Sequence, residues 1–323
     1  MSVPIIDLHC DLLAYLRIDP QNHSPLDPIS NCSIPLLERG NVRLQTLALW
    51  SDTSRGSYQR YREQREAYHA MLTNFKGRIA PITDYDREKK RVYFVLAIEN
   101  ASCLLEEDEP FELLIPRLNA LKDPLLYISL TWNDENRFGG GNLTNVGLKR
   151  EGEIVLEVMA DKKIAVDLSH TSDALAEDIL NYIHKKGLNL QPLASHSNYR
   201  SILNCPRNIP DMIAKEIASM GGIIGLNFIR VFVGEKNEDF LKHIQYGIDL
   251  IGEDALALGG DIFGGIETPT ISDFAPYYLD FDNSACYPAF LHLLERELSS
   301  TQIKKIAYLN AEKLLGGQGL ILN

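Results

Sequence analysis

Pro4-Ile5-Ile6-Asp7-Leu8-His9-Cys10-Asp11, at residues 4–11, is a short apolar run that ends in an imidazole and a carboxylate two positions apart. Side chains on a strand alternate faces, so the spacing predicts that His9 and Asp11 share one side while Cys10 points to the other. The same pattern of an apolar run closed by a ligand-type residue recurs down the chain. Ala97-Ile98-Glu99, Asp167-Leu168-Ser169-His170, Ala194-Ser195-His196 and Gly259-Gly260-Asp261 are its further instances.

Working outward from these ends, eight strands are expected at Pro4–Cys10, Arg43–Trp50, Val92–Ile98, Leu125–Thr131, Ile164–Leu168, Gln191–Ser195, Gly222–Asn227 and Ala255–Gly260. Helical patterns separate or follow them at Tyr58–Phe75, Glu109–Leu121, Glu151–Asp161, Asp173–Lys186, Pro210–Met220, Phe240–Ile251, Ala285–Leu298 and Thr301–Leu315. Ser172-Asp173 and Pro210-Asp211 are helix-start signals of the expected kind. Strands alternating with helices imply a parallel sheet, and eight such units imply a closed (β/α)8 TIM barrel. The near-continuous apolar strands suit a sheet covered on both faces. No glycine-rich dinucleotide turn follows the first strand, which disfavours an open doubly wound sheet. The whole of residues 1–323 is expected to be a single barrel domain with C-terminal helices, and Gln21–Asn41, rich in Pro, Ser and Asn, a long first loop.

The chain has 323 residues, 45% of them hydrophobic and 24% charged, with a formal net charge of −12. That balance is ordinary for a soluble enzyme and disfavours non-specific binding to nucleic acid or anionic membrane. No apolar run is long enough to span a bilayer. Met1–Leu8 has neither the charged nor the apolar region of a signal peptide. Five cysteines at 10, 32, 103, 205 and 286 contain no CxxC pair and are odd in number, which reads as reduced thiols. The expected location is therefore the cytoplasm.

In such barrels the catalytic groups come from the C-terminal ends of the strands. His9, Asp11, Glu99, His170, His196 and Asp261 all fall there. Imidazole and carboxylate together suit zinc, and also manganese, iron or cobalt. A lone strand-end histidine is more often a hydrogen-bonded core residue; five residues, His9, Asp11, Glu99, His170 and His196, converging on one rim favour a metal site. His23, His69, His184, His243 and His292 fall in loops or helices and are expected to be packing or surface residues. Asp7 and Asp167 are open between supporting the ligands and capping the sheet. Phe138-Gly139-Gly140-Gly141-Asn142 lacks the Lys-Ser/Thr of a phosphate cradle and reads as a flexible loop. Glu106-Glu107-Asp108-Glu109 reads as a solvated helix start.

These motifs resemble the renal-type (membrane) dipeptidases, the M19 metallopeptidases. The resemblance runs from residues 5–11 to Asn310-Ala311-Glu312-Lys313-Leu314-Leu315. It is most specific at Ser195-His196-Ser197-Asn198-Tyr199, followed by Pro206-Arg207-Asn208-Ile209-Pro210. It implies two zinc ions, one on His9 and Asp11 and one on His170 and His196, with Glu99 bridging them. It further implies that Arg207 binds the terminal carboxylate of a dipeptide-like substrate, that Asp261 moves protons at the scissile amide, and that a homodimer is an option. The chain departs from the mammalian pattern twice. Leu130-Thr131-Trp132 carries Trp132 where a substrate-binding histidine follows Leu-Thr, and Gly259-Gly260-Asp261-Ile262-Phe263-Gly264 lacks a second acidic residue. Both changes touch the substrate rather than the metals. At the end of the fourth strand Trp132 is placed to face the barrel mouth, as a wall or as a weak hydrogen-bond donor; a one-residue shift of register would turn it to the helices, and packing under the following loop is the remaining alternative. The implied activity is a zinc-dependent dipeptidase. The alternatives are hydrolysis of another small amide, ester or lactone on the same metals, or a metal-bearing binding protein without catalysis.

Overall fold

β-branched and leucine-rich runs pair in parallel to make a ring of eight strands. The computed structural model describes residues 3–266 and 276–322. The strands are β1 (Ile5–Cys10), β2 (Val42–Trp50), β3 (Ile79–Pro81), β4 (Val92–Glu99), β5 (Leu125–Ser129), β6 (Ala165–Asp167), β7 (Pro192–Leu193), β8 (Ile224–Leu226) and β9 (Leu256–Leu258). Their order is β7-β6-β5-β4-β2-β1-β9-β8, with β3 paired to the start of β4 outside that path. The ring closes between β7 and β8 at the Ala194–Ile224 bridge, where the Ala194 N–H donates to Ile223 O at 3.0 Å and the Gly225 N–H to Ala194 O at 2.8 Å. Closure needs glycine: a Cβ on Gly225 or Gly259 would lie 2.0 or 1.8 Å from the Ser195 carbonyl oxygen. The result is a parallel (β/α)8 barrel, as its strand-and-helix alternation predicts.

The helices are α1 (Leu12–Ile18), α2 (Ile34–Arg39), α3 (Ser57–Asn74), α4 (Leu114–Asn119), α5 (Arg150–Lys162), α6 (Asp173–Lys186), α7 (Asp211–Ser219), α8 (Arg230–Val233), α9 (Asp239–Ile251), α10 (Tyr287–Leu294), α11 (Ser300–Lys304) and α12 (Asn310–Gly317). The expected cap of α6 is present, with Ser172 Oγ accepting from the Leu175 N–H at 3.0 Å. Residues 21–41 are not the plain loop expected, because Pro28–Ser30 forms a 3-10 turn and α2 follows. The predicted helix over 109–121 shrinks to α4 after a 3-10 turn at Phe111–Leu113. The acidic run before it does not start a helix: the Glu106 carboxylate accepts from the Gly56 and Tyr58 N–H groups at 3.0 and 3.1 Å, capping α3 instead.

The barrel interior shows how side chains reach the rim. On β4, Tyr93, Val95 and Ala97 belong to the inner core while Val92, Phe94, Leu96 and Ile98 pack outward. Glu99 continues the inward phase and stands at the mouth. On β1, Ile6 and Leu8 face inward, so strict alternation would send His9 outward. A bulge prevents this: Asp7 pairs with Gln45 and Cys10 with Leu47, three residues against two. The extra residue flips the phase, Cys10 joins the outer core, and His9 and Asp11 turn to the rim.

Candidate metal centre

The rim gathers the strand-end residues into one cluster. His9 Nε2 lies 3.3 Å from Glu99 Oε2, 3.8 Å from Asp11 Oδ2 and 3.7 Å from Asp261 Oδ1. The other Glu99 oxygen, Oε1, lies 3.0 Å from His170 Nε2 and 3.7 Å from His196 Nε2. Glu99 therefore divides its two oxygens between two sets of donors. Candidate ligand atoms of His9, Glu99 and His196 lie within 4.8 Å of one another, and so do those of His9, Asp11 and Asp261. All eight residues singled out from the sequence come together here: the six named so far, with Arg207 and Trp132 on the wall of the same cavity.

Each imidazole is held through its far nitrogen. Tyr127 donates its hydroxyl to Leu8 O at 3.0 Å and so accepts from His9 Nδ1 at 2.7 Å. Ser195 Oγ donates to Asp167 Oδ2 at 2.6 Å and accepts from His196 Nδ1 at 2.6 Å. Asn133 Oδ1 accepts from His170 Nδ1 at 2.8 Å. With Nδ1 protonated in all three, every Nε2 lone pair turns to the centre. The Nε2 atoms of His170 and His196 then face each other at 3.1 Å, an arrangement that a cation between them relieves.

The electrostatics point the same way. Burial works against a charge on His9, yet Glu99, Asp11 and Asp261 outweigh it and hold its pKa up to about 10. Burial, reinforced by the neighbouring carboxylates, raises Asp11 and Asp261. Burial pushes His170 down to about 4. Glu99 differs: against the effect of burial, His9 and the hydrogen bonds of His170 and His196 hold it well below the usual carboxylate range. A buried cluster in which two of three acids resist ionising while one imidazole is driven to protonate is short of positive charge. His9 Nε2 and Asp11 Oδ1 are buried with no hydrogen-bond partner. The donor set thus fits divalent cations, His9 and Asp11 on one side of Glu99, His170 and His196 on the other.

Two site residues take a left-handed backbone, His170 at φ 65° and Asp261 at φ 53°. Such conformations cost about 1–3 kcal/mol each in a non-glycine residue and concentrate at functional sites. Asp7 and Asp167 now separate in role. Asp7 accepts from the His9 and Gly260 N–H groups at 2.8 and 3.1 Å and from Gln45 at 2.9 Å, tying β1 to the end of β9. Asp167 instead orients His196 through Ser195. Tyr127, Asn133 and Ser195 carry the orientation of the histidines; the sequence signal for Tyr127 and Asn133 is weak because each reaches its histidine from a distant segment, whereas Ser195 directly precedes His196. The five remaining histidines lie outside the cluster; His243, for example, is buried between the Tyr199 N–H and Val233 O.

Arg207 is buried, its Nη1 donating to Ser197 Oγ and its Nη2 to His196 O, both at 3.0 Å. Its Nε has no partner, so three of its five N–H bonds are left for the cavity. Trp132 meets Trp50 edge to face at 5.2 Å and lies 6.0 Å from the His170 ring. It forms a wall of a cavity of about 200 Å3 whose other apolar lining includes Leu143, Phe232 and Phe263.

Barrel and cluster together define an enzyme-type scaffold with a candidate metal centre on its catalytic rim. The family model for membrane dipeptidases, peptidase family M19, matches residues 1–318, and the chain belongs to that family. It is 30% identical over 192 residues to an uncharacterised dipeptidase of Schizosaccharomyces pombe, covering 56% of this chain and 44% of that protein. It is 27% identical over 198 residues to the dipeptidase verJ of Clonostachys rogersoniana, covering 58% and 47%. The matches span about half the length of these curated relatives. In fold it superposes on a metallopeptidase of Rhodobacter sphaeroides, crystallised with a phosphinate mimic of L-Ala-D-Ala, with a TM-score of 0.81 at 20% identity, covering 98% of this chain and 99% of that one. No helix among the described residues is long and apolar enough to cross a membrane.

Proposed function

We propose that this protein is a binuclear zinc dipeptidase acting on dipeptides, or close amide analogues, with a free carboxylate. The observation that carries the reading is the division of the Glu99 carboxylate between His9 at 3.3 Å and His170 at 3.0 Å, which suits a bridging ligand. Two bound cations would supply a nucleophilic water at neutral pH and polarise the scissile carbonyl.

The chain's own groups supply the rest. Arg207 offers a planar fork to the substrate carboxylate, desolvated by burial and therefore strong. Asp261 is held by Asn227 Nδ2 on Oδ2 at 2.8 Å, leaving Oδ1 turned to the cluster. That placement suits it to pass a proton to the leaving amine. Trp50 and Trp132 exclude water from one side of the cavity. A cytoplasmic setting for this activity is part of the proposal and rests on the five cysteines without a CxxC pair, read as reduced thiols.

The test is amino-acid release from a panel of L,L- and L,D-dipeptides by the zinc-loaded protein. Turnover of at least one dipeptide is expected. Turnover of esters or lactones with no dipeptide cleaved would replace this reading by the alternative hydrolase, and binding without any turnover would leave a silent metal protein.

A further inference from the structure

The glycine run at residues 139–141 is not the flexible loop its composition suggests. The Asn142 N–H donates to His170 O, the Ser172 N–H to Gly140 O and the Asn136 N–H to Gly139 O, each at 2.9 Å, and the Gly141 N–H donates to Asp134 O at 3.0 Å. A Cβ on Gly141 would lie 2.0 Å from Trp132 O and 2.3 Å from the Asn133 carbonyl carbon. The three glycines therefore let an arm lie flat against the ends of β5 and β6. What the arm delivers is Asn142.

Asn142 lines the cavity with His170, Trp132 and Arg207. Its Oδ1 is buried and has no hydrogen-bond partner. An acceptor left so is costly unless a ligand donates to it. Its place along the cavity is set from both sides. Its backbone is bonded to His170, and with Pro206, the neighbour of Arg207, it lines an adjoining polar recess. Asn142 thus borders the one cavity that the histidine–carboxylate cluster and the guanidinium share.

We propose that Asn142 is a substrate-orienting residue whose Oδ1 accepts the N–H of the scissile amide. The inference rests on the dipeptidase reading. With the carboxylate on Arg207 and the scissile carbonyl over the cluster, the group of a dipeptide that lies between them is the amide nitrogen, followed by one Cα. That N–H is a donor, and Oδ1 is the acceptor that lacks one. The contact turns the amide so that its carbonyl faces the cluster, and it favours an amide over an ester, which brings an oxygen lone pair to the same place.

The experiment compares a dipeptide with its ester isostere, in which oxygen replaces the scissile N–H, on the wild-type protein and on Asn142→Ala. Melting temperature and metal content, measured on both proteins, are expected to agree. For the dipeptide, kcat/KM is expected to fall about 10-fold or more in the variant, the usual cost of an unmade hydrogen bond at a desolvated site. For the ester it is expected to change less than about 2-fold, or to rise. Equal losses on both compounds mean that the carboxamide touches a group common to both, and overturn the assignment; so does an unchanged dipeptide rate. Turnover of neither compound by the wild-type protein overturns the dipeptidase reading, and this inference with it.

Discussion

At the scale of single residues, the site depends on groups that never reach its centre. His196 is held by Ser195, and Ser195 by Asp167, through contacts of 2.6 Å each. Ser195→Ala removes the acceptor for Nδ1–H and frees the ring to rotate or change tautomer. Losing such an orienting partner typically costs about 10–100-fold in metal affinity. Competition with a chromogenic chelator should register that loss, and unchanged affinity would reduce the chain to packing. Arg207 makes a second prediction. Arg207→Ala should cost about 2–5 kcal/mol in kcat/KM, the penalty for stranding a buried charge partner. Amidating the substrate's C-terminus should slow the wild-type protein far more than the variant. Equal slowing of both would show that the carboxylate is read elsewhere.

At the scale of elements, α9 carries a pH-sensitive joint away from the cluster. His243 accepts from the Tyr199 N–H at 3.2 Å and donates to Val233 O at 3.0 Å, pinning α9 to α8 and to the segment after β7. Burial holds its pKa down to about 4 against an ordinary value of 6.5, partly opposed by the Val233 carbonyl and Asp239. The unfolded chain therefore binds a proton between pH 6.5 and 4 that the folded chain refuses. Stability is fully present above pH 6.5 and declines as the pH falls through that window, by about 3 kcal/mol at about 1.36 kcal/mol per unit. His243→Gln offers a similar acceptor and donor without a titrating group. Denaturant midpoints should fall less steeply from pH 7 to pH 4.5 in the variant than in the wild type. Parallel curves would mean that His243 is not the group that titrates.

At the scale of the whole molecule, the donors come from the ends of β1, β4, β6 and β7, spread over residues 9–196, and meet only when the barrel closes. Cations that bind the folded arrangement alone stabilise it by mass action, about 2.7 kcal/mol per site at a free concentration 100 times Kd. Metal analysis after zinc loading is expected to give two ions per chain, and His170→Ala with His196→Ala to leave one. Chelation should lower the melting temperature of the wild-type protein more than that of the double variant. An identical drop in both would mean that one cation site carries all of the stabilisation.

Much of this was legible in the amino-acid order alone. Apolar runs closed by His9, Glu99, His170, His196 and Asp261 announced both the barrel and its rim, because strand pairing and face alternation are local consequences of residue type. Two of the neighbours that hold the histidines were not legible, since Tyr127 reaches His9 from three strand positions away in the ring and Asn133 reaches His170 across a loop. Nor was the phase of β1. The sequence marks His9 and Asp11 as a pair, but Ile6 and Leu8 on the inner face would turn His9 outward without the bulge. A bulge is a property of two strands in register, and residue order along one of them does not contain it. The glycine run shows the same division. Its composition permits a mobile loop, and only the close approach of Trp132 and Asn133 makes it an arm that carries Asn142 to the cavity. Residue type determined which groups were on offer; packing between distant segments decided where each of them points.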